Sequence, residues 1–206
     1  METRIGITKD PLFTTRNLLI VAVIVSTVTG GNLWLHRGDP AVGYAQFEGF
    51  GFTLDYSLQM EFMVDDFGGW EPTESAGTVQ ASLPISGVEQ YGVIWESPDS
   101  MPIHLRSLEG SLDYTFGLIG MEGTTISDRG GYSSMSHNGH EMVYQIFYVE
   151  DQGFAIPGII GALHCEDAGK YIQFYLVYLP DPENPTVDPQ ELEQRWLGYL
   201  DLLTCQ

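Results

Sequence analysis

The chain has 206 residues, enough for one domain with a true core plus a short additional segment. Its 8 Lys+Arg stand against 28 Asp+Glu, a formal charge of -20, which excludes a surface built to hold nucleic acid or anionic lipid headgroups. An apolar content of 43% with 12% aromatic residues excludes a wholly disordered chain.

The charge is unevenly placed. Arg4, Lys9 and Arg16 precede the first apolar run, with only Glu2 and Asp10 among the acids, leaving 26 acids and five bases for the remainder. Lysine is confined to Lys9 and Lys170. Acid-rich, Lys-poor composition suits either a salty habitat or an ordinary acidic secreted domain, and net charge alone does not separate the two.

Residues 18–28 read Leu-Leu-Ile-Val-Ala-Val-Ile-Val-Ser-Thr-Val, and Thr29–Leu35 extend the uncharged stretch. Residues 17–36 thus approach the ~20 helical residues that cross a bilayer. Trp34 stands near the far end, where interfacial aromatics belong. The basic flank places residues 1–16 in the cytoplasm, with everything after the anchor outside the cell membrane. A cleaved signal peptide is the competing reading, but Gly30-Gly31 is a poor cleavage site, and an uncleaved anchor is preferred.

Residues 37–46 read as a linker. In Phe47–Tyr56, Phe50, Phe52, Leu54 and Tyr56 alternate at period two, which predicts a strand. Gly77–Pro84 and Gln90–Glu96 predict two more. Leu105, Leu108, Leu112 and Ile119 then sit at helical spacing, predicting a helix over Met101–Leu118 with Ser100 as N-cap and Pro102 in its first turn. Ser133–His137 and His140–Tyr148 flank Asn138-Gly139, a type I′ hairpin signal. Strands over Phe154–Cys165 and Lys170–Leu179 complete a meander. Asp188 as N-cap, Pro189 at N1 and Glu191 at N3 open a last helix, whose apolar face is Leu192, Trp196, Tyr199, Leu200 and Leu203. The order strands, helix, strands, helix defines an α+β domain over residues 47–206, an antiparallel sheet with helices packed on it.

This order of elements resembles the PsbP-like superfamily, which includes bacterial envelope proteins of the LpqN and DcrB type. The matching pieces are Gly51–Tyr56, Gly92–Trp95, Gly139–Tyr144 and the Trp196–Leu203 closing helix. Ser57 stands where the family pattern usually has Pro. The resemblance implies a sheet flanked by helices, no enzymatic activity, and a role in assisting or stabilising membrane complexes. It carries over no ligand residue.

Several residue groups carry possible chemistry. His137 and His140 face each other across the predicted turn, and two imidazoles that close begin a Zn or Cu site, with Glu141 or Asp128 as a further ligand. Two exposed polar residues beside a turn is the simpler reading and the preferred one. Glu61, Asp65, Asp66, Glu71 and Glu74 are acidic enough for a hard cation, but their spacing excludes an EF-hand and a solvated loop is expected. Tyr144, Phe147, Tyr148, Phe174, Tyr175 and Tyr178 suit a ligand groove, although core packing is the expectation. No Gly-x-Ser-x-Gly, Walker A or dinucleotide fingerprint is present. Cys165 ends a strand and Cys205 is expected to end the last helix, one residue from the chain end. In an exported domain they are expected to form a structural disulfide. The sequence therefore predicts a single-pass, extracytoplasmic accessory domain without catalysis or cofactor, docking on a protein of the membrane or cell envelope. A binding module for a divalent cation or small ligand is the alternative.

Overall fold

A computed structural model describes residues 43–65, 72–83, 88–121, 125–151, 154–179 and 186–206. The expected tail at 1–16, the anchor at 17–36 and most of the linker lie outside the described residues. Among those described, no helix is long and apolar enough to cross a membrane.

The chain enters as a hairpin of β1 (Tyr44–Gly49) and β2 (Phe52–Ser57), where the sequence predicts one strand. The reversal falls at Phe50-Gly51, with φ of 55° and 91°, both in the left-handed region. Alternating aromatics run through both arms of this hairpin and mask the turn, because Phe50 is an unusual residue for that backbone. Its ring repays the conformation by stacking on Trp95, with centroids 4.4 Å apart. β1 also takes up the end of the expected linker, from Tyr44.

β3 (Glu61–Asp65), β4 (Ala76–Leu83) and β5 (Val88–Glu96) follow, then two 3-10 turns, Pro98–Ser100 and Ile103–Leu105. The helix α1 spans Leu108–Met121, starting later than Met101. Pro98 and Pro102 hold the preceding chain in separate tight turns, and Ser107 takes the capping role expected of Ser100, its Oγ accepting from Gly110 N at 3.0 Å. β6 (Thr125–Arg129), β7 (Ser133–His137), β8 (His140–Asp151), β9 (Phe154–Cys165) and β10 (Lys170–Leu179) come next. The turn Asn138-Gly139 has φ of 50° and 86°, as its sequence predicts. The helix α2 (Pro189–Leu200) begins at Asp188, whose carboxylate accepts from Gln190 N at 2.9 Å. Leu203 and Cys205 do not continue that helix. They form β11 (Leu203–Cys205), which pairs with β2.

The strands make an eight-stranded antiparallel sheet, order β3-β4-β5-β10-β9-β8-β6 with β7 also on β8, and a three-stranded sheet β1-β2-β11. β6 and β7 share one edge of β8: β7 pairs with His140–Tyr144, and β6 with Phe147–Glu150. The period-two alternation of the long strands divides the core. On one face Leu112 and Phe116 of α1 pack on Ile94, Val143, Phe147, Ile160 and Val177. On the other, Trp196 and Leu200 of α2 and Phe52 and Leu54 of the small sheet pack on Tyr91, Trp95, Phe174 and Leu176. Trp196 is 0% exposed, and burial of a ring that size stabilises the fold by roughly 3 kcal/mol. A Cβ on Gly161 would lie 2.6 Å from the Trp196 ring, so the ring needs a glycine beneath it.

Candidate functional site

The long strands β8, β9 and β10 bring their ends to the start of α1. Alternation sets which residues meet there. Tyr171 on β10 is the register partner of His164 on β9 and of Glu96 on β5. The Met142–Leu163 rung places Glu141 opposite His164. A polar row therefore crosses four strands on the α1 face: Glu141, His164, Tyr171, Glu96. Over its near end lies a recess of about 470 Å³, lined by Ser107, His140, Glu141, His164, Glu166 and Tyr171 among others. Tyr171 forms a buried aromatic wall, its ring 5.1 Å from that of His164. Glu141 and Glu166 are exposed at the rim.

Glu96 ends the row beneath α1. It is 3% exposed, and its Oε2 has no hydrogen-bond partner among the described residues. Burial pushes its carboxyl up to about 8, so it is largely protonated at neutral pH. Gln173 Oε1 and Thr115 Oγ1, in the same sheet–helix interface, are also buried without partners among the described residues. Gln173 donates through Nε2 to the Ser111 carbonyl at 3.2 Å.

From Gly43 onward the sequence holds four Lys and Arg residues, and each already faces a carboxylate. Arg106 lies 3.4 Å from Asp99, Arg129 2.6 Å from Asp113, Lys170 2.9 Å from Glu74 and Arg195 2.7 Å from Glu89. Three of them also face an aromatic ring. Arg129 lies 4.2 Å from the Phe116 centroid, Arg195 4.3 Å from Tyr178 and Lys170 5.9 Å from Phe50. Tyr132 donates to Asp113 at 2.7 Å, and Arg129 also donates to Gln145. Desolvation raises the Asp113 carboxyl, but hydrogen bonds from Arg129 and Tyr132 outweigh it and hold the group below its ordinary range.

The residues singled out from sequence are distributed differently. His137 and His140 are register partners, as the turn predicts. His137 is buried rather than exposed, its Nε2 3.0 Å from Asn138 Nδ2 and its Nδ1 4.0 Å from Asp201. His140 and Glu141 line the recess, and Asp128 is exposed on β6 opposite Tyr148. No group of three or more His, Cys, Asp or Glu residues is placed to hold a metal ion among the described residues. Asp66 and Glu71 of the acidic stretch lie outside the described residues, while Glu74 is the partner of Lys170. The aromatic set lines no shared groove: Phe147 faces α1, whereas Phe174, Tyr178 and Tyr144 face the α2 side. Cys165 and Cys205 are paired, with Cα atoms 5.8 Å apart.

Sequence reasoning missed His164, Glu166 and Tyr171. A signal existed: pairing Cys165 with Lys170 across the Glu166–Gly169 turn sets Tyr171 opposite His164. What it could not supply was Ser107, which the helix start brings over the strand ends.

No protein-family model matches the sequence, and no curated protein matches it. Among solved structures, the solution structure of cyanobacterial PsbP (CyanoP) from Synechocystis sp. PCC 6803 superposes with a TM-score of 0.52. It shares 12% sequence identity, and the match covers 85% of this chain and 100% of that one. The domain therefore has a PsbP-like fold.

Proposed function

We propose that this chain is a membrane-anchored, extracytoplasmic accessory domain without catalytic activity, which docks on another protein of the membrane or cell envelope. The observation that carries the reading is the PsbP-like fold, together with a surface whose four cations are all committed to internal carboxylates. Such a surface presents unmatched negative charge and suits a partner that brings positive charge. The apolar run at 17–36 supplies the tether. The test is affinity capture of the full chain from its native membranes in mild detergent. A stoichiometric membrane or envelope protein, released as NaCl is raised, is the expected result. Capture that recovers only the bait overturns the reading.

A further inference from the structure

Three of the four cations among the described residues share one arrangement. Arg129 sits between Asp113 and the Phe116 ring, Arg195 between Glu89 and the Tyr178 ring, and Lys170 between Glu74 and the Phe50 ring. A carboxylate neutralises the charge, and a ring face adds cation–π attraction.

The recess at the start of α1 holds the same two parts. Glu141 and Glu166 supply carboxylates, and Tyr171 with the His164 ring supplies an aromatic wall. No Lys or Arg lines it. Arg106, Arg129, Lys170 and Arg195 are all engaged elsewhere, so no Lys or Arg among the described residues is left to fill it. Polar character also continues behind Tyr171, through its register partner Glu96, to a buried carboxyl oxygen without a partner among the described residues. We infer that the recess lined by Glu141, His164, Glu166 and Tyr171 receives a Lys or Arg side chain of the docking partner, in the arrangement that Arg129, Lys170 and Arg195 show. This assignment rests on the docking reading above and names the point of contact.

A recess of about 470 Å³ accommodates one alkylammonium or guanidinium head with its stem. Glu141 and Glu166 are exposed and belong to no ion pair among the described residues, so neutralising them leaves the fold intact. A single side chain in such a site binds weakly, in the millimolar range, and gains its effect as part of a larger interface.

The experiment uses the full chain in neutral detergent with histidine ring signals assigned. The probes are Nα-acetyl-lysine methylamide, the arginine equivalent, and the norleucine equivalent as an uncharged control. The His140 and His164 signals should shift saturably with the two basic probes, while buried His137 stays fixed. E141Q/E166Q should weaken the response about fivefold or more, and in affinity capture it should lose the partner the natural chain retains. Absence of a shift, or an equal shift with norleucine, overturns the inference; capture by the natural chain then still stands for the docking reading. Tight binding of spermidine with partner capture unaffected by E141Q/E166Q overturns it too, assigning the recess to a free polyamine. If the shifts appear but the natural chain captures nothing, the docking reading fails, while the cationic chemistry of the recess is upheld.

Discussion

Arg195 donates to Glu89 through two parallel hydrogen bonds, Nε to Oε1 and Nη2 to Oε2, each 2.8 Å, fastening α2 to β5 across 106 residues of chain. Tyr199 donates to the same Oε1, and its ring stacks on Tyr91 at 4.3 Å. Desolvation with the neighbouring Glu89 raises the Tyr199 hydroxyl well above its ordinary value, so it remains a donor. Glu89→Gln and Arg195→Met should each lower stability by about 2 kcal/mol, because removing one partner leaves the other half-buried and unmatched. The double variant should cost less than the sum of the two. Urea midpoints that add without coupling would show that the pair contributes nothing jointly.

Glu96 makes stability depend on pH. Its carboxyl titrates near 8 in the fold and in the ordinary range near 4.5 when exposed. Between those values the folded state holds a proton that the unfolded chain has lost. The stability this supplies is complete below about 4.5, declines as pH rises, and is gone above about 8. The full effect is roughly 4–5 kcal/mol at most. Glu96→Gln, which copies the protonated carboxyl in shape, should flatten this decline and leave the variant more stable than the natural chain at pH 9. Parallel stability–pH curves for the two proteins would rule the group out.

Cys165 and Cys205 close a loop of sequence separation 40. The chain-entropy argument values such a closure at about 4 kcal/mol. The bond also fastens β11, a three-residue strand that would otherwise fray. The pair Cys165→Ala/Cys205→Ala should unfold at clearly lower denaturant while retaining its sheet signature. Non-reducing peptide mapping should recover the two cysteine peptides joined. Full thiol labelling of unfolded, unreduced protein would show that no bond forms.

Excess negative charge should make the domain sensitive to salt. At about 0.01 M ionic strength the Debye length is ~30 Å, so carboxylates repel one another across the whole domain. Melting temperature should climb from low to moderate NaCl and then level off. A flat curve would mean that the surplus carboxylates are too widely spaced to matter.

The N-terminal apolar run predicts a cytoplasmic N-terminus and an external domain. Protease added to intact spheroplasts should remove residues beyond about 40. Full protection of the C-terminal epitope would reverse the orientation.

Long strands were the most legible part of the fold. Phe154–Cys165 and Lys170–Leu179 are long, nearly continuous apolar runs, each entered from a turn, and β9 and β10 are legible from them. Asp188-Pro189 likewise announces α2 through its cap. Short edge strands were not legible. β3 and β6 carry mixed polar sequences, and their pairing depends on β4 and β8 being already in place. Helical spacing from Leu105 puts the start of α1 too early, because it extends into chain that Pro98 and Pro102 hold as 3-10 turns. Leu203 fits the apolar face of α2 by spacing, yet it pairs with Leu54, since a strand position beside β2 buries it equally well.

The acidic balance, the class of the domain and the hairpin at Asn138-Gly139 follow from composition or from residues close in the chain. That Glu141, His164, Tyr171 and Glu96 form one row, that Arg106, Arg129, Lys170 and Arg195 each meet a carboxylate, and that His137 is buried are consequences of the folded arrangement. Those relations join residues far apart in sequence, and they come from strand order and register. Local propensity does not encode these, because the free energy that selects them resides in the shared burial of whole faces.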